Sequence, residues 1–155
     1  MYTGKQAIPQ VMVTVDGMAL SKGVDYTMVC SNNVKPGKAT VMILGTGNYT
    51  GVKTATYKIA LGQAKVKKVL AGKKSFTVKW ARQKAGKVGY QVRYSLKSSM
   101  KGAKKKTVKA NATTKLKVGK LKSKKTYYVQ VRTFKKIGGK KYYSAWSAKK
   151  RVKVK

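Results

Sequence analysis

The chain has 155 residues, 42% of them hydrophobic, which is enough for one ordinary domain or two small ones. Thirty-eight Lys and Arg stand against two acidic residues, a formal charge of +36 that internal ion pairs cannot neutralise, so anions must come from elsewhere. With no His or Glu, with Asp16 and Asp25 as the only carboxylates and Cys30 as the only thiol, paired-carboxylate hydrolysis, His-based triads, zinc sites and disulfides are excluded.

The charge is uneven along the chain. Residues 1–62 hold six Lys and both Asp, a net of +4; the remaining 32 basic residues and no acid give residues 63–155 a net of +32. The shift falls at Ala60-Leu61-Gly62-Gln63, a small, flexible tetrapeptide between two alternating segments, and the sequence is read as two domains, 1–61 and 62–155. No apolar run approaches the roughly 20 residues of a membrane helix, and no charged-then-apolar secretory pattern opens the chain. The sequence therefore reads as a portion of a longer protein, and its single Cys carries no information about compartment.

In chain order, the first domain offers β-branched or aromatic runs at Val11–Val15, Tyr26–Cys30, Ala39–Leu44 and Thr54–Ile59. Turn residues separate them: Asp16-Gly17, Ser31-Asn32-Asn33, Pro36-Gly37 and Gly45-Thr46-Gly47-Asn48. The second domain alternates at Phe76/Val78/Trp80, Tyr90/Val92/Tyr94, Leu116/Val118, Tyr127/Val129/Val131 and Val152/Val154. This period of two, with Lys at many interleaved positions, predicts sheets with one buried and one hydrated face. No helical period is sustained, so the predicted class is all-β, two tandem β-sandwich modules.

Tyr2-Thr3-Gly4-Lys5 with Pro9, Lys22-Gly23-Val24-Asp25-Tyr26-Thr27, Asn32-Asn33 and Gly47-Asn48-Tyr49-Thr50-Gly51 together resemble an immunoglobulin-like repeat of Gram-positive surface and secreted proteins over about 2–59. Repeats of that kind usually carry a further strand before the Tyr-Thr-Gly-Lys element, so this one reads as N-terminally trimmed. Residues 64–155 resemble a fibronectin type III module: Phe76–Trp80 as the second strand with its core Trp80, Gly89–Tyr94 as the third with Tyr90, and Leu121 followed by Tyr127 as the tyrosine corner, whose hydroxyl bonds to upstream backbone. The resemblance implies that Tyr127, Val129 and Val131 point inward and that Tyr128, Gln130, Arg132 and Phe134 lie outside. It also implies that Gly138-Gly139 turns a hairpin into a final strand running from Tyr142 to Val154.

Tyr143-Ser144-Ala145-Trp146-Ser147 is similar to the Trp-Ser-x-Trp-Ser box of cytokine-receptor fibronectin modules, with Tyr143 in place of the first Trp. It is read as a structural cation–π contact, with Arg132 as the expected partner of Trp146 and Arg93 as the other choice. Asp16 is read as a hairpin-turn residue and Asp25 as a strand-opening residue bonded to local backbone, in preference to an isopeptide cross-link; Cys30 is read as a small packed hydrophobe.

The runs Lys104-Lys105-Lys106, Lys124-Lys125, Lys140-Lys141 and Lys149-Lys150-Arg151 form either a solvated face or a binding surface for anionic polymers such as teichoic acid or glycosaminoglycan. Only Arg82, Arg93, Arg132 and Arg151 supply guanidinium, which disfavours sequence-specific nucleic-acid binding. Non-specific binding, with bases stacked on Tyr128, Phe134, Tyr142 or Tyr143, is the alternative. No convergent Lys, Tyr, Ser or Thr set supports an enzyme, and no cofactor is implied. The sequence is thus read as non-catalytic spacer and adhesive modules of a secreted or wall-attached Gram-positive surface protein, monomeric as isolated modules, with polyanions or other surface-protein modules as partners.

Overall fold

A computed structural model describes residues 1–155 as an all-β chain without helices. It divides into two compact units, Met1–Ala60 and Leu61–Lys155.

In the first unit, β1 (Thr14–Val15) and β2 (Met18–Ala19) form a short hairpin. Its turn residues, Asp16 and Gly17, both have positive φ, as a tight two-residue hairpin requires. The strand predicted over Val11–Val15 is confined to Thr14–Val15, with Leu20 N–H donating to Val13 O at 2.9 Å just beyond it, and Val11 and Met12 lie outside the ladder and are exposed. A meander of β3 (Tyr26–Ser31), β4 (Gly37–Gly45) and β5 (Val52–Ile59) makes a three-stranded antiparallel sheet. Tyr2, Tyr26, Ala39, Val41 and Ile59 are its buried apolar residues. The N-terminal segment is tied down by Ala7 N–H donating to Asn33 O at 2.8 Å and the Tyr57 hydroxyl donating to Ala7 O at 2.6 Å. Cys30 is half-buried and unpaired, and burial, reinforced by Cys30, pushes the Tyr57 hydroxyl above its usual range.

The second unit is a two-sheet sandwich. One sheet has the order β10-β7-β6, built from β6 (Val66–Gly72), β7 (Ser75–Trp80) and, later in the chain, β10 (Lys115–Val118). The other has the order β12-β11-β8-β9, from β8 (Gly89–Ser95), β9 (Lys104–Val108), β11 (Thr126–Ile137) and β12 (Lys140–Tyr143). β13 (Lys150–Lys153) also pairs with β11. The alternation expected from the sequence fills the space between them: Phe76, Val78 and Trp80 from one sheet meet Tyr90, Val92, Tyr94, Tyr127, Val129 and Val131 from the other. Removing each such side chain from water stabilises the fold by about 1.5–3 kcal/mol before entropy is counted.

The last strand departs from expectation. It does not run unbroken from Tyr142 to Val154 but splits into β12, beside 134–137, and β13, beside 126–129. In the gap two serines replace regular pairing. Ser144 N–H donates to Thr133 O at 3.1 Å while its Oγ accepts Thr133 N–H at 3.0 Å; Ser147 N–H donates to Val131 O at 2.8 Å while its Oγ accepts Val131 N–H at 3.0 Å. Side-chain oxygens thus take the place of strand carbonyls, so the N–H groups of Val131 and Thr133 stay paired across the gap.

Candidate functional site

Two features of the second unit carry chemistry, an aromatic–guanidinium ladder on the outer face of β8 and β11 and a lysine-lined cleft at one open side. The ladder follows from the serine pattern. Ser144 and Ser147, three residues apart, face β11, so Tyr143 and Trp146, also three apart, share the outer side. Arg132 lies between them, 3.7 Å from the Tyr143 ring centre and 4.3 Å from Trp146, and Arg93 covers Trp146 at 4.2 Å. The sequence offered the two arginines as alternatives; the fold uses both.

Neither guanidinium has a carboxylate. Arg132 Nε and Nη2 donate to Gln91 Oε1 at 3.0 and 2.7 Å, and Arg93 Nε and Nη2 donate to Gln130 Oε1 at 3.0 and 2.6 Å. Burial lowers the pKa of both arginines, and their mutual repulsion adds to the effect at Arg132 while Tyr143 opposes it. Gln130 lies on the outer face as expected but is buried there, because the stack covers it and its Nε2 donates to Ser147 O at 2.6 Å. This arrangement locks a sheet surface.

Trp80 and Tyr90 pack in the core with ring centres 5.2 Å apart. At the corner, Leu121 and Tyr127 are buried, and Lys122 N–H donates to the Tyr127 hydroxyl at 3.1 Å. Three of the four aromatics considered for base stacking have partners: Phe134 packs on Tyr143 at 6.3 Å, Tyr143 carries Arg132, and Lys140 Nζ stands 5.6 Å from the Tyr142 ring centre, while Tyr128 on β11 is half-buried. Phe134 also lies against Gly89, where an added Cβ would come within 2.6 Å of its ring, so only glycine fits beneath it.

The lysine runs do not form one patch. Lys124 and Lys125 precede β11, and Lys140 and Lys141 follow its turn; the 12 residues of the strand hold these pairs about 40 Å apart at the rise of an extended strand. Lys150 and Arg151 lie on β13, while Lys149 Nζ donates to Ser98 O at 2.9 Å.

Lys104, Lys105 and Lys106, on the edge strand β9, line a cleft of about 860 Å³. Its other cations were not singled out by the sequence: Lys97 and Lys101 from the loop before β9, Lys117 from β10, and Lys120 and Lys122 after β10. They come from separate segments, so no run of lysines marks them. Tyr94, Tyr127, Val118 and Leu121 form its buried wall. Burial, reinforced by Tyr127, raises the Tyr94 pKa.

The fold and these features are those of a β-sandwich module of the structural and binding kind. Residues 65–149 match the Fibronectin type III domain, and the chain belongs to that family. Among solved structures it is similar to the chicken CNTN1 FN1-FN3 domains, at 19% identity with a TM-score of 0.53, the match covering 80% of this chain and 46% of that one; the likeness is one of fold. Looser similarity extends to a structure described as a myokine (18% identity, 62% of this chain and 98% of that one, TM-score 0.48). A computer-based redesign of a β-sandwich protein is also similar (16% identity, 61% and 90%, TM-score 0.45). No curated protein matches the chain.

Proposed function

We propose that the chain is a pair of non-catalytic modules, an immunoglobulin-like surface repeat followed by a fibronectin type III module, from a secreted or wall-associated Gram-positive surface protein. In this reading it spaces neighbouring domains and holds anionic polymers such as teichoic acid or glycosaminoglycan electrostatically. The observation that carries the reading is the second unit's charge: 32 basic residues and no acidic side chain, so no side-chain ion pair can form within it. Polyanion contact with release of condensed counterions relieves that repulsion.

The repeat motif supports the first half of the reading, because its residues hold structural posts. Tyr2 and Tyr26 are buried, Gly23, Gly47 and Gly51 take positive φ, and the Asp25 carboxylate accepts Ser21 N–H at 2.8 Å. The engaged rings of Phe134, Tyr142 and Tyr143 favour polymers without bases over single-stranded nucleic acid.

The test is a salt titration of the chain on immobilised heparin, lipoteichoic acid and single-stranded DNA. Retention that falls steeply and linearly on a log–log salt plot is expected for heparin and lipoteichoic acid. Absence of retention at low salt, or preference for one nucleic-acid sequence, overturns the reading.

A further inference from the structure

The two long sides of the second unit are built differently. On one, the chain end closes the gap between the sheets: Lys74 N–H donates to Lys155 O at 2.9 Å, Lys155 N–H donates to Gly72 O at 3.1 Å, and Val152 and Val154 are buried. On the other, β9 and β10 are the terminal strands of their sheets and no ladder joins them. The cleft lies there.

Register shows why it stays open. Lys104 is opposite Tyr94 and Lys106 is opposite Val92, so both lysines share the inward side with two core residues. Apolar side chains there would have sealed the sandwich as Val108, opposite Tyr90, does further along. Lysines cannot enter an apolar gap without an anion, and both remain exposed. Inward charges on an edge strand also deter edge-to-edge pairing, but that needs only a charge or two on one strand. Here eight lysines from β9, β10 and the loops flanking them surround one cleft, whose volume is that of an ordinary ligand pocket.

We propose that the cleft between β9 and β10 is a binding groove for a single extended polyanion without bases, bearing sulfate or phosphate groups at regular intervals. The proposal deepens the polyanion reading above and rests on it. The cations are all Lys and none of the four Arg lines the cleft, so it presents point charges instead of the planar forks that orient one phosphate or one guanine. Lys104 and Lys106 repeat a charge about every 6.8 Å along the strand, which suits a chain of charges better than one small anion. The tyrosines at the wall are buried in the core cluster and offer no free ring to a base.

The test compares the full chain with K104Q/K106Q/K122Q and with a charge-matched control, K67Q/K68Q/K136Q, whose exposed lysines lie outside the cleft. Probes are a heparin decasaccharide, a ten-unit glycerol-phosphate oligomer and a ten-nucleotide oligothymidylate. The cleft variant is expected to weaken binding of the sulfated or phosphorylated chain about tenfold, the control less than about threefold. Amide shifts on titrating the unmodified chain should concentrate in residues 94–122, which tests the site independently of any variant. Tighter binding of one of the two chains supports the proposal and names the source of its charge. Equal weakening by both variants, or shifts centred on β12 and β13, overturns the groove while leaving polyanion binding intact. Oligothymidylate held in the cleft as tightly as the other chains overturns the base-free occupant. No binding of any probe by the unmodified chain overturns the underlying reading as well.

Discussion

Replacing Trp146 with Ala removes the centre of the ladder. Two cation–π contacts disappear, to Arg132 at 4.3 Å and to Arg93 at 4.2 Å, each worth about 0.5–1 kcal/mol at a partly exposed site. Lost packing of the half-buried indole adds about 1 kcal/mol, so the second unit should be destabilised by about 2–3 kcal/mol. For a domain of this size that lowers Tm by roughly 10–20 °C. The chain has two tryptophans, and the variant keeps only Trp80, buried in the core of the same unit, so its fluorescence during urea or thermal unfolding reports that unit alone. Arg132→Lys is the companion, since it keeps the charge but loses the planar stack and the paired bonds to Gln91. A double-mutant cycle between Trp146→Ala and Arg93→Met isolates the contact from packing. A loss below about 0.5 kcal/mol for Trp146→Ala, or a cycle with no coupling, refutes the reasoning that the stack holds this face.

Tyr127→Phe removes the acceptor of Lys122 N–H and should cost about 1 kcal/mol by chemical denaturation; a neutral result would detach the corner from stability. Because the second unit packs 32 cations with no acidic side chain, its Tm should climb from about 10 mM to 150 mM salt, as the screening length shrinks from roughly 30 to 8 Å; an unchanged Tm contradicts significant self-repulsion. Tyr94 has a raised pKa in the folded state, so its contribution is fully present below the ordinary tyrosine range and is lost as pH rises through the folded value. The difference in unfolding free energy between the native chain and Tyr94→Phe should therefore be flat below pH about 9.5 and shrink above it, which pH-resolved urea unfolding measures. A difference that grows at high pH would contradict the burial of that hydroxyl.

Periodicity and composition determined much of this protein. Phe76/Val78/Trp80, Tyr90/Val92/Tyr94 and Tyr127/Val129/Val131 specify their inward faces locally, since side chains of a strand alternate whatever it pairs with. The absence of His and Glu likewise bounds the chemistry before any folding. Long-range pairing decided the rest. The three-residue spacing of Ser144 and Ser147 becomes meaningful only against Val131 and Thr133 of β11, which split the last strand and brought Arg93, forty residues away in sequence from Thr133, under Trp146. Gln130 reads as an exposed outer residue until the stack covers it. The cleft was the least legible feature: Lys104, Lys106, Lys117 and Lys122 are ordinary interleaved lysines along the chain. They converge because β9 and β10 end different sheets on the same side, and strand order arises from contacts between distant segments that no local pattern encodes.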